Sequence, residues 1–389
     1  MLLIKNAKIY PVVGDMIESG QILIDDNGKI SAIGQTVDAP ADVNEMDLSG
    51  KIVTPGLIDI HTHVGIWGDG EGADSMDGNE KPDAINPKVN ALDSTNPHQR
   101  SFEGAREGGI TTMQIVPGSG NPIGGLGFAC KSYGTIIDEM VIKNPTGLKG
   151  ALGENPKNLH GNMLKHAPST RMGTAGLIRE YFEETKAYMA KKDAAEKEGK
   201  SFDIDMKYEP GVMVLKKEIP LRLHAHRHDD IVTAVRLCQE LDVEFSIEHC
   251  TDGYKIADYL AKNNVLACVG PGLSNSSKVE TADFTDANPA ILHKAGVKVC
   301  LMTDHPFLNT RHFMVYGAVS ARYGISFEDV LKMMTINPAE ALGLEDRVGS
   351  LEVGKDADFL VYDGHPFSYK TKLEATYIEG QKVWEKPVY

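Results

Sequence analysis

The chain has 389 residues, enough for one large domain or a large and a small one. Hydrophobic residues make up 41% and charged residues 24%, the proportions of a protein that folds around a sizeable core. A formal net charge of −15, from 40 basic against 55 acidic residues, excludes a surface built to grip a phosphate backbone or an anionic membrane.

The first 54 residues are predicted as short strands, Met1 to Ile9, Gln21 to Ile24, Lys29 to Ile33 and Lys51 to Thr54. Asp25-Asp-Asn-Gly28 has the composition of a hairpin turn, and Pro55-Gly56 breaks the pattern. The last 40 residues are alike, with strands expected at Asp358 to Tyr362, Leu373 to Ile378 and Lys382 to Trp384, the last two joined at Glu379-Gly380. Between them β and α patterns alternate. Strands are expected at Leu57 to Ile60, Thr111 to Val116, Gly127 to Ser132, Leu148 to Leu152, Leu221 to Leu223, Glu244 to Ile247, Val265 to Val269 and Val297 to Met302. Helical spacing covers Asp230 to Leu241 and Gly253 to Lys262. The fold class is therefore α/β: a (β/α)8 TIM barrel over residues 55–349, with a small β-sandwich domain formed from both termini, 1–54 and 350–389. An open doubly wound sheet is the alternative, but no Gly-x-Gly-x-x-Gly follows the first strand.

Two segments break the rhythm. Gly65 to Pro97 is long, with seven acidic residues against two lysines; loops of that length are usually functional. Leu177 to Lys200 places Ile178, Tyr181, Phe182, Thr185, Tyr188 and Met189 at helical spacing and reads as an added surface helix. The five cysteines have no close pairs, so no disulfide framework is expected. Leu2-Leu-Ile4 opens the chain without a signal-peptide pattern, and no apolar run reaches ~18 residues. A cytoplasmic protein is expected.

The chemistry-bearing residues fall at strand ends. His61 and His63 close the first barrel strand, His224 and His226 the fifth, His249 the sixth and Asp304 the eighth. In a (β/α)8 barrel those positions converge on one mouth. Residues two apart on a strand share a face, so His61 and His63 can point inward together. Imidazoles with a carboxylate suit zinc or a similar divalent ion. A single strand-end histidine is more often structural; it is the number and order of these that indicate metal.

The chain is similar to the amidohydrolase superfamily, and within it to the imidazolonepropionase-related amidohydrolases. The matching pieces are Val53-Thr-Pro-Gly-Leu-Ile-Asp-Ile-His-Thr-His63, then His224, His249 and Asp304, and the tail Val348-Gly-Ser-Leu-Glu-Val-Gly-Lys-Asp-Ala-Asp-Phe-Leu-Val361. The resemblance implies one or two divalent ions, with zinc expected. His61 and His63 would hold the more buried one and His224 and His249 the second. Asp304 would both bind metal and carry the proton. It favours His224 over His226, which the strand pattern alone leaves open. It also implies a bridging group, a carbamylated lysine in many relatives and a glutamate in some. Leu148-Lys-Gly-Ala-Leu-Gly-Glu154 offers both; Glu154, at the strand end, is the expected ligand, and Lys149 is expected to lie too deep.

Relatives that deaminate or open rings usually carry a glutamate three residues after the strand-five histidine, and here that position is Arg227. Arginine does not titrate usefully. The expected reaction is hydrolysis of an amide, peptide or cyclic amide C–N bond by metal-activated water. The alternatives are an aminohydrolase or imidazolonepropionase-like ring hydrolase and, in another class, a non-catalytic scaffold. Arg227 and His305 are candidates to meet an anionic substrate group. Asn121 to Gly127 is Gly-rich but lacks the Lys-Ser/Thr of a P-loop. A small-molecule substrate is the expected partner, not nucleic acid or a membrane; a homo-oligomer is left open.

Overall fold

The computed structural model describes residues 1–68, 72, 75–274, 276 and 278–387. Sixteen strands run in chain order among them. The first five are β1 (Leu2–Ile9), β2 (Ile17–Ile24), β3 (Ile30–Gly34), β4 (Asn44–Asp47) and β5 (Ile52–Pro55). Eight follow in the middle: β6 (Leu57–Thr62), β7 (Ile110–Ile115), β8 (Ile123–Lys131), β9 (Val141–Ala151), β10 (Leu221–Ala225), β11 (Phe245–His249), β12 (Leu266–Val269) and β13 (Lys298–Leu301). The tail adds β14 (Phe359–Tyr362), β15 (Leu373–Ile378) and β16 (Gln381–Glu385).

The two ends of the chain build one sheet, in the order β16-β15-β14-β5-β1-β2-β3. It forks at β1, whose first half pairs in parallel with β4 and whose last residues pair with β5. β4 was not expected: Asn-Glu-Met-Asp is polar and mostly exposed, and only its partner makes it a strand. The apolar face of this sheet buries Ile4, Ile9, Ile22, Val53, Phe359 and Val361.

The middle strands form the second sheet, β13-β12-β11-β10-β9-β8-β7-β6, a nearly closed barrel. Each of the eight segments predicted there lies on one of its strands. One feature of a regular (β/α)8 barrel is corrected: β8 runs antiparallel to both β7 and β9. The connection 116–122 is too short for a helical crossover, and a reversed strand needs none. The Gly-rich segment 121–127 enters this strand rather than forming a cradle.

β6 and β13 share no ladder. Closure comes from backbone bonds beyond their ends: Asp304 N donates to His61 O (3.0 Å) and His63 N to His305 O (3.2 Å). Beneath them the buried Asp59 carboxylate accepts from the Thr303 amide (3.1 Å) and hydroxyl. Burial pushes the Asp59 carboxyl up to about 7, against the opposing Thr303 bonds.

The added helix runs from Arg171 to Lys197, capped by Thr170. Ile178, Tyr181, Phe182, Thr185 and Tyr188 form its buried face, as their spacing predicts. In the acidic loop, Asp69, Glu71 and Asp74 lie outside the described residues. No described helix is long and apolar enough to cross a membrane. All five cysteines are free and buried.

The two sheets are tied by a buried charge cluster. Lys131, at the end of β8, reaches Asp356 (2.8 Å) and Asp358 (2.6 Å) in the tail. Arg347 and Lys29 also meet the fully buried Asp356. Burial alone would raise the Asp356 carboxyl; Lys131 and the other cations outweigh it and hold the group at about 2. Asp356→Asn leaves Lys131 buried with one counter-ion fewer, so it should lower stability by about 3 kcal/mol in urea unfolding. Because the folded carboxyl is depressed, its contribution is present above the usual carboxylate range and is lost as pH falls toward 2. The variant should accordingly show a weaker acid dependence; an unchanged acid limb would show that Asp356 does not clamp the two sheets.

Candidate metal centre

Two backbone irregularities aim the candidate ligands. Along β6 and β7 the register shifts: Asp59 to Thr62 spans three steps where Met113 to Ile115 spans two. That extra residue is a bulge, and it changes which side chains face inward. Ile58 and Ile60 pack with Ala129, Cys268, Cys300 and Met302 inside the barrel, yet His61 and His63 beyond the bulge also face its cavity. On β11, period-two alternation would put Glu248 inside and His249 outside. His249 has a left-handed backbone (φ 72°), and both side chains reach the interior. Asp304 is left-handed too (φ 50°).

The result is a cavity of about 480 Å³. Its floor is made by His61, His63, Lys149, His224, His226, His249 and Asp304, all buried. Ligand atoms of His224, His226 and His249 lie within 4.8 Å of one another, as do those of His61, His249 and Asp304. His249 joins the two groups. His63 Nε2 lies 3.1 Å from Asp304 Oδ1, and His61 Nε2 3.5 Å from it.

Most of these rings are anchored through Nδ1. His63 donates to Val116 O (2.8 Å), His249 to Gly270 O (2.9 Å) and His61 to Glu248 Oε2 (2.7 Å). Each acceptor has no proton to give, so Nδ1 carries a hydrogen and Nε2 is the lone-pair side of the neutral ring; burial lowers His63, whereas against burial the Asp304 and Glu248 carboxylates raise His61 above the ordinary histidine range. His226 Nδ1 meets Thr251 Oγ1 at 2.8 Å. The Nε2 atoms of His61, His224 and His226 are buried with no hydrogen-bond partner, as is His224 Nδ1. Buried polar atoms in such number need partners. A divalent cation fits them. Burial keeps His224, His226 and His249 well below the ordinary histidine range, hence neutral, as ligands must be. Asp304 is held well below the carboxylate range despite burial, because His249, His61 and His63 surround it.

Behind His61 stands a second layer that the sequence reading missed. Glu248 accepts from Ser246 Oγ, and Arg222 Nη1 lies 3.9 Å from its Oε1. Arg222 is itself fully buried, donating to Thr146 O (3.2 Å) and Ala341 O (3.0 Å). A Cβ at Gly147 would come within 2.7 Å of its Nε, so only glycine leaves room. Burial would raise the Glu248 carboxyl, but His61, Arg222 and Ser246 hold it at about 2. An acid next to a ligand histidine was the available signal.

Three expectations are placed differently. Glu154 is not brought to the cluster. Its amide donates to Glu280 Oε2 (2.8 Å), its carboxylate accepts from the Glu280 amide (3.4 Å), and it does not line the cavity. Lys149, expected to lie too deep, does line it; its Nζ is buried without a partner, and burial lowers it to about 8. Arg227 stands just before the helix His228–Leu241 and pairs with Asp229 outside the cavity. His305 is buried behind Asp304 and is not part of the lining.

A sequence model of the Amidohydrolase family matches residues 52–387. The chain belongs to the amidohydrolase family. Members of this family hydrolyse C–N bonds, generally with a bound divalent metal. The crystal structure of an amidohydrolase from Thermotoga maritima MSB8 is 46% identical, with a TM-score of 0.96, covering 99% of this chain and 100% of that one. Imidazolonepropionase of Fusobacterium nucleatum is 28% identical over 96% of this chain and 93% of its own length. The amidohydrolase tasK of Hapsidospora irregularis is 26% identical over 99% of this chain, but the match spans only 43% of that fungal protein.

The anchoring of His61 is testable. Glu248→Gln should lower the affinity for a divalent ion by about 10- to 100-fold, the usual cost of removing a ligand's outer partner. Competition with a chromogenic chelator measures it, with thermal unfolding followed alongside. Wild-type affinity in a folded variant would remove Glu248 from the centre.

Proposed function

We propose that this amidohydrolase cleaves an amide-type bond at a centre held by His61, His63, His224, His249 and Asp304, with zinc as the metal best matched to the donors. The observation that carries the reading is the set of buried imidazoles gathered around one buried carboxylate, three of them with an unpartnered Nε2. Lys149 takes the bridging position expected of Glu154. Its buried amine can add carbon dioxide, releasing a proton, to become a carbamate. His226 stays beside His249 as a further ligand or substrate contact.

A divalent ion held there supplies Lewis acidity, polarising a carbonyl and making water acidic near neutral pH. The protein does the rest. Val116, Gly270 and Glu248 keep the imidazole lone pairs aimed inward. Among the described residues Asp304 is the one carboxylate lining the cavity, so it can take the proton of the attacking water and pass it to the leaving nitrogen. Trp67, Phe284 and Phe307 wall off the upper part of the cavity. Ring hydrolysis, the reaction named for the imidazolonepropionase relatives, is less well supported: position 227 offers an arginine already paired outside the cavity. Residues 55–349 would form the catalytic domain, with 1–54 and 350–389 as its β-domain.

Zinc-loaded protein screened against N-acyl amino acids, dipeptides, hydantoins and lactams should hydrolyse at least one class. His61→Ala and His249→Ala should lose that activity and bound metal. Asp304→Asn should remain folded while turnover falls by on the order of 10²–10⁴-fold. Unaltered turnover in any of the three would dismantle the assignment.

A further inference from the structure

Above the ligand floor the cavity wall is largely uncharged. It contains the three aromatic rings, Ser119 and Asn155. One further charge faces the cavity: Lys278, on the loop that follows β12. Arginines and a lysine on the neighbouring described segments are matched by carboxylates. Arg171 pairs with Asp230 and Glu280, Arg227 with Asp229, and Lys255 with Asp252 and Asp283. Among the described residues Lys278 has no carboxylate within 4.0 Å. Glu280, two residues on, is turned to the Glu154 amide (2.8 Å) and lies 3.6 Å from Arg171. Gly153, beside that contact, has φ 85°, and a Cβ there would meet Glu280 Oε2 at 2.6 Å, so the turn and the carboxylate are fitted to each other.

We propose that Lys278 binds a carboxylate of the substrate, and that the substrate class is therefore a carboxylate-bearing amide: an N-acyl amino acid or a dipeptide. This rests on the reading of the centre as an amide hydrolase. The physical case has three parts. The chain carries a net charge of −15, yet above the ligand floor Lys278 is the cation among the residues lining the cavity, and among the described residues no carboxylate lies within 4.0 Å of it, Glu280 acting on it only from farther away. A lysine is a compact point charge that pairs with a single carboxylate oxygen without the fixed bidentate geometry that arginine imposes. The volume, about 480 Å³, holds a molecule of dipeptide size. With the ligand floor at one end and the ammonium on the loop above it, an amide carbonyl and a nearby carboxylate would each have a partner. Neutral amides would leave Lys278 desolvated and unpaired, so the site discriminates against them.

The test separates this from the hydrolase reading by measuring binding rather than turnover. In zinc-loaded Asp304→Asn protein, calorimetry compares N-benzoylglycine with N-benzoylglycinamide. The acid should bind about tenfold more tightly, the size expected of one charge-assisted hydrogen bond. Adding Lys278→Met should abolish that preference, and Lys278→Arg should retain most of it. The proposal is overturned if acid and carboxamide bind alike, or if neither binds at millimolar concentration. It is overturned equally if the preference survives Lys278→Met, as it would were the metal end holding the carboxylate. A preserved preference in a protein that hydrolyses no amide would speak against the reaction, not against Lys278.

Discussion

The barrel is held shut at its functional end by the bonds between the residues after β6 and those after β13. No ladder joins these strands, yet the His61 carbonyl accepts from the Asp304 amide and the His305 carbonyl from the His63 amide. Asp59 and Thr303 complete the seam one residue deeper. These bonds do two things at once. They replace the missing strand pairing, and they set the Asp304 carboxylate among the His61, His63 and His249 rings. The closure of the fold and the geometry of the site are thus the same set of hydrogen bonds.

Around that seam the protein solves a second problem, that of keeping unpaired imidazole nitrogens in the interior. A buried nitrogen without a partner is costly. The cost is contained by anchoring the far side of most rings to acceptors that have no choice of tautomer, so rotation cannot satisfy Nε2 elsewhere. Glu248 and Arg222 extend this outward to the opposite end of the barrel, where Arg222 takes the carbonyls of Thr146 and Ala341. Left-handed backbone at His249 and Asp304 belongs to the same pattern, strain kept at candidate ligand positions and supported by the surrounding bonds. A cation bound at the nitrogens would relieve what the fold has built up.

Much of this was legible in the chain. Alternation and apolar runs located the eight barrel strands, because burial on both faces leaves a compositional trace. The pairing of first and last residues into one sheet followed from two β-rich ends around a different middle. The candidate ligands stood out because residue type and strand-end position coincide in His61, His63, His224, His249 and Asp304. The reversal of β8 was not legible: its residues are as apolar as those of a parallel strand. Glu154 was favoured over Lys149 because strand-end position was used as the guide. The structure places the Lys149 amine in the cavity lining and turns Glu154 toward Glu280.

By itself, then, the sequence determined the architecture, the candidate ligand types and the strands that carry them, since these depend on local periodicity and composition. Only the tertiary structure decided which of those side chains meet. A one-residue bulge in β6 and one left-handed residue at the end of β11 shift inward-facing parity, and no pattern of hydrophobicity records either. The partners of long charged side chains were equally beyond local reading. Arg227 is taken by Asp229, Arg171 by Asp230, and Lys278 is left facing the cavity. Charge pairing is settled by whichever opposite charge the fold brings nearest, and that is a property of three dimensions.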